Sequence, residues 1–145
     1  MDVERATARD LPAIETLLST AGLPRDGAAA AFEAGVVGRD RDRLVAAAAV
    51  ERYDSFGLLR SVVVVADRRG AHLGRTIVAA AEELARELGL NELFLLTETA
   101  TDWFPRLGYV PIVRDEVPDV VRGSVEFTTA CSTTAVAMRR SLRPA

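Results

Sequence analysis

The chain has 145 residues, of which 49% are hydrophobic and 27% are charged, and its net charge is −3. A chain of this length and composition can bury one core, so we expect a single domain over residues 1–145. One cysteine and one histidine exclude an intramolecular disulfide and a metal site built from several such ligands, and we expect no metal.

Charge and hydropathy limit the cellular locations and the classes of binding partner that we expect for this protein. The apolar runs are far shorter than the about 20 residues of a membrane helix. The charged start MDVERATARDL lacks the apolar core of a signal peptide. We therefore expect a cytoplasmic protein with no membrane partner. The net negative charge and the lack of a basic segment argue against nucleic acid as a partner.

The first half of the chain predicts two helices and four strands. A short strand over residues 3–6 precedes the helix TARDLPAIETLLSTAGLP, and a shorter helix, DGAAAAFEAG, follows. Turn-like breaks at GRDRDR and YDSFG then divide an apolar stretch into three antiparallel strands over residues 36–38, 44–51 and 58–65. The alanine run of the middle strand favours a helix by propensity, but it is too short for a good one.

The second half alternates helices and strands. Residues 73–88 form an amphipathic helix ended by Gly89, and the apolar run ELFLLT forms a buried strand parallel to the strand before that helix. DWFPRLGY predicts a short helix that starts late or kinks at Pro105. VPIV predicts a strand, PDVVRGSVEFTTAC a helix weakened by Gly123, and TTAVAMRR a last strand.

The stretch VVVVADRRGAHLGRTIV joins a buried strand to a helix through a basic loop with two glycines. The start of a helix presents unpaired N–H groups and a partial positive charge, and glycine lets an anion approach the backbone. The segment therefore predicts a phosphate site. It contains neither the lysine of a P-loop nor the G-x-G-x-x-G of a dinucleotide fold.

This stretch resembles motif A of the GNAT superfamily of acetyl-CoA-dependent N-acetyltransferases. Arg69 and Gly74 take two motif places, whereas His72 stands where a glycine is usual. TETATDWFPRLGYVPI is similar to a second element of that family, and the order of the predicted elements agrees. The resemblance implies a mixed α/β fold with a mostly antiparallel sheet, splayed between its fourth and fifth strands and flanked by helices.

The resemblance also implies a site for acetyl-CoA. Backbone groups of Val62, Val63 and Val64 would bind the pantetheine arm, and a loop would wrap the pyrophosphate with its N–H groups: Gly70, Ala71, His72, Leu73, Gly74 and Arg75. Arg69 and Arg75 would add charge, whereas Arg68 is equally well read as a solvated side chain. Thr97, like Thr99, would contact the cofactor or the substrate. We interpret His72 as a loop-surface residue or a phosphate-side contact rather than as the catalytic base, and its side chain need not block the phosphates if its φ is negative.

Catalysis in this family needs an amine without its proton and a way for the thiolate to leave. Phe104 stands in the place of the tyrosine that often serves as the acid, so Tyr109, Tyr53 or water would substitute, or the thiolate would leave unprotonated. Glu51 and Glu98 end their strands near the implied acceptor cleft and are the candidate bases. The alternative for each is an ordinary surface carboxylate.

Arg60 is the strongest candidate for a substrate contact. A charged residue in the buried run GLLRSVVV is costly without a partner. An amino-acid-like substrate would supply a carboxylate, and the alternative partner is Glu51 across the hairpin. Arg25 and Arg122 are weaker candidates for the same cleft. We expect Cys131 to be a buried apolar residue.

The resemblance thus predicts an acetyl-CoA-dependent N-acetyltransferase acting on a small, carboxylate-bearing amine, and it leaves a homodimer open. The C-terminal stretch is similar to a subgroup of small acetyltransferases linked to arsenic resistance. Two other functions stay open: a GNAT-fold module that binds an acyl-CoA as a sensor or scaffold without transfer, and a protein N-acetyltransferase.

Overall fold

The computed structural model describes residues 1–70, 72–130 and 133–143, and a seven-stranded sheet runs through them. The strands are β1 (Asp2–Arg5), β2 (Gly35–Asp40), β3 (Arg43–Tyr53), β4 (Phe56–Val64), β5 (Glu92–Thr97), β6 (Val110–Ile112) and β7 (Val136–Ser141). Their order across the sheet is β1-β2-β3-β4-β5-β7-β6. Neighbours are antiparallel except β4 and β5, which are parallel as predicted.

Helices cover both faces of the sheet, which confirms the predicted α/β class. They are α1 (Leu11–Thr20), α2 (Ala28–Ala31), α3 (Leu73–Glu87) and α4 (Asp119–Arg122). The predicted apolar stripe of α3, which includes Ile77, Ala81 and Leu84, is buried against one face. Ile14 and Leu18 of α1 pack on the other. None of the helices in the described ranges is both long and apolar enough to cross a bilayer.

The alanine run of β3 confirms the strand that position, rather than propensity, predicted. Ala46, Ala47, Ala48 and Ala49 each have a relative exposure of 0%. Because successive residues of a strand face opposite sides, two of these alanines pack under α3 and two pack under α1 and α2. Tertiary burial on both faces thus overrides the helix propensity of alanine.

Three predicted helices are shorter or more irregular than the sequence suggested. DGAAAAFEAG gives α2 and then a 3-10 turn at Phe32–Ala34. DWFPRLGY gives a 3-10 turn at Phe104–Leu107, which places Pro105 in its first turn, where no N–H is needed. PDVVRGSVEFTTAC is not one helix: α4 ends before Gly123, and a π-helical turn at Glu126–Ala130 follows.

The start of α1 is fixed to the sheet by Asp10. Its carboxylate accepts a hydrogen bond from the Thr7 N–H at 2.8 Å and forms an ion pair with Arg39 of β2. Burial favours a higher pKa for Asp10, but the Thr7 and Arg39 contacts together hold its pKa below the usual value. Asp10 in its charged form therefore ties the start of α1 to β2 and to Thr7, which follows β1.

Candidate active site

An extra residue in β4 opens the sheet. Ala47 pairs with Val63 and Ala49 with Arg60, so Ala48 lies opposite two residues, Ser61 and Val62. Ser61, one of these two residues, adopts a left-handed φ of 56°. β4 pairs with β5 only from Phe56–Glu92 to Leu58–Phe94, and beyond that point the two strands diverge. The structure thus contains the splay that the family resemblance implied.

The splay opens into a cleft of about 770 Å³. Its walls combine the ends of β4 and β5, the loop before α3, the Phe104–Leu107 turn and the chain after α1. All predicted cofactor contacts in the described ranges line it: Val62, Val63, Val64, Arg69, Gly70, His72, Leu73, Gly74, Arg75 and Thr97. Ala71, the remaining predicted contact, lies outside the described residues, as does Cys131.

The loop before α3 contains two residues with left-handed backbone conformations among those that the structure describes. A 3-10 turn at Ala66–Arg68 leads to Gly70, whose φ is 87°, and His72 immediately precedes α3. His72 has a φ of 62°, so the negative φ under which its side chain would leave the phosphates accessible is absent. A histidine therefore occupies a left-handed position that favours glycine.

Arginines make this end of the cleft positive. Arg68 forms an ion pair with Asp40 and so helps to hold the loop. Arg69 and Arg75 are exposed and have no carboxylate partner in the part of the chain that the structure describes. Gly74 gives Trp103 room, since a Cβ at that position would lie 2.9 Å from the indole ring. This contact brings the turn that carries Arg106, another cleft residue, to the same end.

The other end of the cleft contains a buried charge cluster around Arg60. The Arg60 side chain is 0% exposed, and its Nη1 donates to Glu51 Oε2 at 2.9 Å. Its Nε donates to Ser61 Oγ at 3.0 Å. Nη2 is buried and has no hydrogen-bond partner among the described residues, and Glu126 Oε2 lies 3.9 Å from it. The ion pair with Glu51 that the sequence offered as the alternative is present, and one nitrogen is left over.

Glu51 is poorly placed to act as a base. Besides Arg60, its carboxylate accepts hydrogen bonds from the hydroxyls of Tyr53 and Ser124. Burial and the Glu51 carboxylate raise the pKa of Tyr53, which therefore keeps its proton. Glu51 borders a separate hollow with Gly27 and Glu33, not the main cleft. These contacts favour a role in fixing Arg60.

Tyr109 does not face the cleft. It is 1% exposed, and its hydroxyl donates to Glu82 Oε2 at 2.8 Å, to which Arg140 Nη1 also donates at 2.8 Å. Burial and the Glu82 charge raise its pKa far above the usual value. This geometry argues against the acid role that the sequence suggested for Tyr109. Phe104 does line the cleft and has no hydroxyl to donate.

The remaining candidates divide between the cleft and the surface. Glu98 and Thr99 line the cleft just after β5, and the Thr97 hydroxyl accepts the Ala100 N–H at 3.0 Å. Arg25 and Arg122 are not among the lining residues. Arg25 is exposed, and Arg122 forms ion pairs with Asp119 and Asp115. The structure therefore does not bring these two arginines to Arg60.

Three polar residues of the cleft, Ser61, Arg106 and Glu126, were not predicted from the sequence. Ser61 follows Arg60 within the otherwise largely apolar β4, and no local pattern marks the position of a bulge there. Arg106 resembles any exposed arginine of a turn. The sequence could have indicated Glu126 as a site residue, because a carboxylate next to an apolar run is costly to bury without a role. It is 6% exposed and lines the cleft beside Arg60.

A bulge in β4, a splay between the parallel strands β4 and β5, and a basic, glycine-bearing loop at the mouth of the resulting cleft are together typical of a GNAT-class fold. The sequence model of the acetyltransferase (GNAT) family matches residues 9–109. The chain therefore belongs to the GNAT family.

The chain is also similar to individual curated proteins that are named amino-acid acetyltransferases. The amino-acid acetyltransferase of Serratia proteamaculans is 33% identical over 82 residues, which cover 54% of this chain and 19% of that relative. The chain thus spans about a fifth of the length of that relative and of its Enterobacter counterpart.

Solved structures share the fold over nearly the whole chain. Rv2747 from Mycobacterium tuberculosis, in complex with CoA, has a TM-score of 0.82 and 25% identity, covering 99% of this chain and 100% of that one. N-acetylglutamate synthase from Neisseria gonorrhoeae, complexed with coenzyme A and N-acetyl-glutamate, has a TM-score of 0.84 and 20% identity, covering 99% and 35%. The second likeness concerns the fold alone.

Proposed function

We propose that the protein is an acetyl-CoA-dependent N-acetyltransferase whose acceptor is a small amine that carries a carboxylate. The observation that carries this proposal is the bulge at Ser61, which parts β4 from β5 and opens a cleft between a positive loop and a buried guanidinium. The GNAT family and the amino-acid acetyltransferase relatives support it. They support an amino-acid acceptor, and the arsenic-resistance resemblance stays a prediction.

Acetyl-CoA would occupy the splay. The loop between Arg69 and α3 would bind the phosphates through N–H groups, with Arg69 and Arg75 adding charge. Val62, Val63 and Val64 would offer backbone groups to the pantetheine arm, because these residues no longer pair with β5. The bound CoA of Rv2747 supports this assignment.

Arg60 would receive the carboxylate of the acceptor. A buried guanidinium nitrogen without a hydrogen-bond partner costs about 1–3 kcal/mol or more, which a ligand oxygen offsets. Nη2 of Arg60 has this property at the wall of the cleft. Nη1 and Nε remain bound to Glu51 and Ser61, so the nitrogen offered to the acceptor is held in a fixed direction.

The transfer is a direct attack of the acceptor amine on the thioester. The ammonium first loses a proton to water or to a cleft carboxylate, for which Glu98 is the candidate. The amine nitrogen then attacks the carbonyl carbon, the new C–N bond forms, and the C–S bond breaks as CoA leaves as the thiolate. The nitrogen, now the amide nitrogen of the product, releases its second proton to water. With Phe104 in place of a tyrosine and Tyr109 outside the cleft, the proton that the thiolate takes up comes from water. Catalysis then rests mainly on positioning of the two substrates.

The test measures thiol released from acetyl-CoA with a panel of amino acids, polyamines and peptides, and acetyl-CoA binding by thermal shift. We expect binding and turnover with amino acids. Binding of acetyl-CoA without turnover across the panel would favour the alternative function of an acyl-CoA sensor. The absence of a hydroxyl on Phe104 is the feature that motivates this alternative. No binding of acetyl-CoA would overturn the proposal.

A conservative variant isolates the acceptor contact. Arg60→Lys retains a cation for Glu51 but loses the second terminal nitrogen. We expect the KM for the amino acid to rise about tenfold while acetyl-CoA binding is unchanged. Arg122→Lys is the matched control, because that side chain lies outside the cleft, and it should leave both quantities unaltered. An unchanged KM in Arg60→Lys would remove Arg60 from the acceptor site.

A further inference from the structure

The charges around Arg60 restrict which amino acid can bind. Arg60 has two carboxylates within reach, Glu51 at 2.9 Å and Glu126 at 3.9 Å, and their side chains are 12% and 8% exposed. Before any acceptor binds, this buried cluster therefore holds one cation and two anions. Glu98 adds a third carboxylate along the same cleft.

The cleft's other cations belong to its opposite end. Arg68, Arg69 and Arg75 lie on or beside the phosphate loop. Arg106 lies on the turn whose Trp103 packs against Gly74. With acetyl-CoA bound, these side chains would face its phosphates. Arg60 is then the one cation available to an acceptor among the described residues of the cleft.

We infer that the acceptor is an α-amino acid with a single carboxylate and an uncharged side chain, and that Glu126 is the residue that excludes dicarboxylic amino acids. This inference rests on the proposed function. The two poles of the cluster, Arg60 Nη2 and Glu126 Oε2, lie 3.9 Å apart and match the adjacent carboxylate and ammonium of an α-amino acid. Both poles are buried, so their fields are weakly screened.

A second carboxylate on the acceptor has no partner in this arrangement. Arg60 offers one free nitrogen, and the α-carboxylate takes it. A side-chain carboxylate would enter a site that already contains Glu126, and a desolvated charge without a partner is strongly disfavoured. An amide in the same place has no charge to desolvate and can both donate and accept hydrogen bonds. The structure thus separates glutamine from glutamate, which have nearly the same shape.

The experiment compares kcat/KM for glutamine with glutamate and for asparagine with aspartate, using the whole chain with saturating acetyl-CoA. We expect the amide of each pair to be favoured by about tenfold or more, since a site that leaves a buried polar group unpaired discriminates at least this strongly. Equal values, or a preference for the dicarboxylic acids, would overturn the inference and leave the proposed function standing.

Substitution of Glu126 tests whether this residue causes the preference for amide over dicarboxylic amino acids. In Glu126→Gln the ratio of amide to acid should fall at least about threefold, because the like charge is gone. Glu87→Gln, an exposed residue near the far end of α3, makes the same change in net charge and should leave the ratio as it was. If both variants keep the wild-type ratio, Glu126 is not the selecting residue.

Should Glu126→Gln fail to fold, the wild-type ratios still decide the acceptor class. No turnover with any amino acid would overturn the proposed function as well.

Discussion

Arg60 uses different nitrogens of its guanidinium for contacts within the protein and for the proposed contact with the acceptor. Nη1 and Nε are used within the protein, on Glu51 and Ser61, while Nη2 remains for a ligand. The sequence presented these roles as alternatives, because a buried arginine needs one partner and does not reveal whether it has two. Since the guanidinium is planar and rigid, fixing two of its nitrogens also fixes the third.

Glu51 should therefore matter for stability as the partner of Arg60. We expect Glu51→Gln to lower the free energy of unfolding by about 2–4 kcal/mol, because it leaves a buried guanidinium without its counter-charge. Urea unfolding measures this change. Glu33→Gln, at an exposed carboxylate of the same hollow, is the control and should shift stability by less than about 0.5 kcal/mol. Equal midpoints for the two variants would show that the Arg60–Glu51 pair adds nothing.

His72 is held in a backbone conformation that costs energy. Replacement by glycine should raise the free energy of unfolding by about 0.5–1 kcal/mol, because a Cβ is unfavourable at a φ of 62°. Thermal unfolding measures the gain, and acetyl-CoA affinity should not fall. Leu73→Gly, at the first residue of α3, should instead destabilise, because it removes a half-buried side chain and adds backbone freedom in the unfolded chain. A less stable His72→Gly protein would mean that the imidazole makes contacts that outweigh this strain.

At the scale of elements, the single extra residue of β4 decides whether the cleft exists. Removal of Ser61 would leave the pairs Ala49–Arg60 and Ala47–Val63 in place, with Val62 alone opposite Ala48. The side chains of β4 would therefore keep their faces. We expect this deletion variant to stay folded, with the circular dichroism of the parent, and to lose acetyl-CoA affinity at least about tenfold as β4 returns towards β5.

Isothermal titration with acetyl-CoA checks this expectation. A matched variant, Ser61→Gly, keeps the bulge and suits its left-handed φ, so it should bind acetyl-CoA as the parent does. Parental affinity in the deletion variant would show that the splay does not depend on the bulge.

Across the whole molecule, stability should fall in acid partly through Asp10. Its folded pKa lies below its unfolded value, so its contribution is present above the unfolded pKa of about 3.9 and is lost as the pH falls through the folded pKa. Asp10→Asn should be less stable than the parent at neutral pH, and the two should converge below that window. Unfolding in urea at several pH values measures the difference. Asp26→Asn, at an exposed position, should track the parent, and a gap in Asp10→Asn that persists in strong acid would contradict the prediction.

The order of strands along the chain, the parallel crossover and the apolar stripe of α3 could be predicted, because they depend on hydrophobic periodicity and turn residues, which are local features. The irregular parts could not. The position of the bulge at Ser61 depends on pairing with β3, and the π-helical turn that brings Glu126 to Arg60 depends on tertiary contacts. Tyr109 shows the same limit, because its position after a glycine does not reveal that its hydroxyl turns inwards to Glu82.

The alanine run of β3 sets how this protein can change over evolution. Ala46 to Ala49 lie between helices on both faces, and each is fully buried, so a larger side chain would push a whole layer outwards. Substitutions by larger residues are therefore disfavoured at the centre of the sheet. New acceptor preferences have to arise at the two ends of the cleft, where the Glu126 turn and the Phe104–Leu107 turn can be rebuilt without moving the layers.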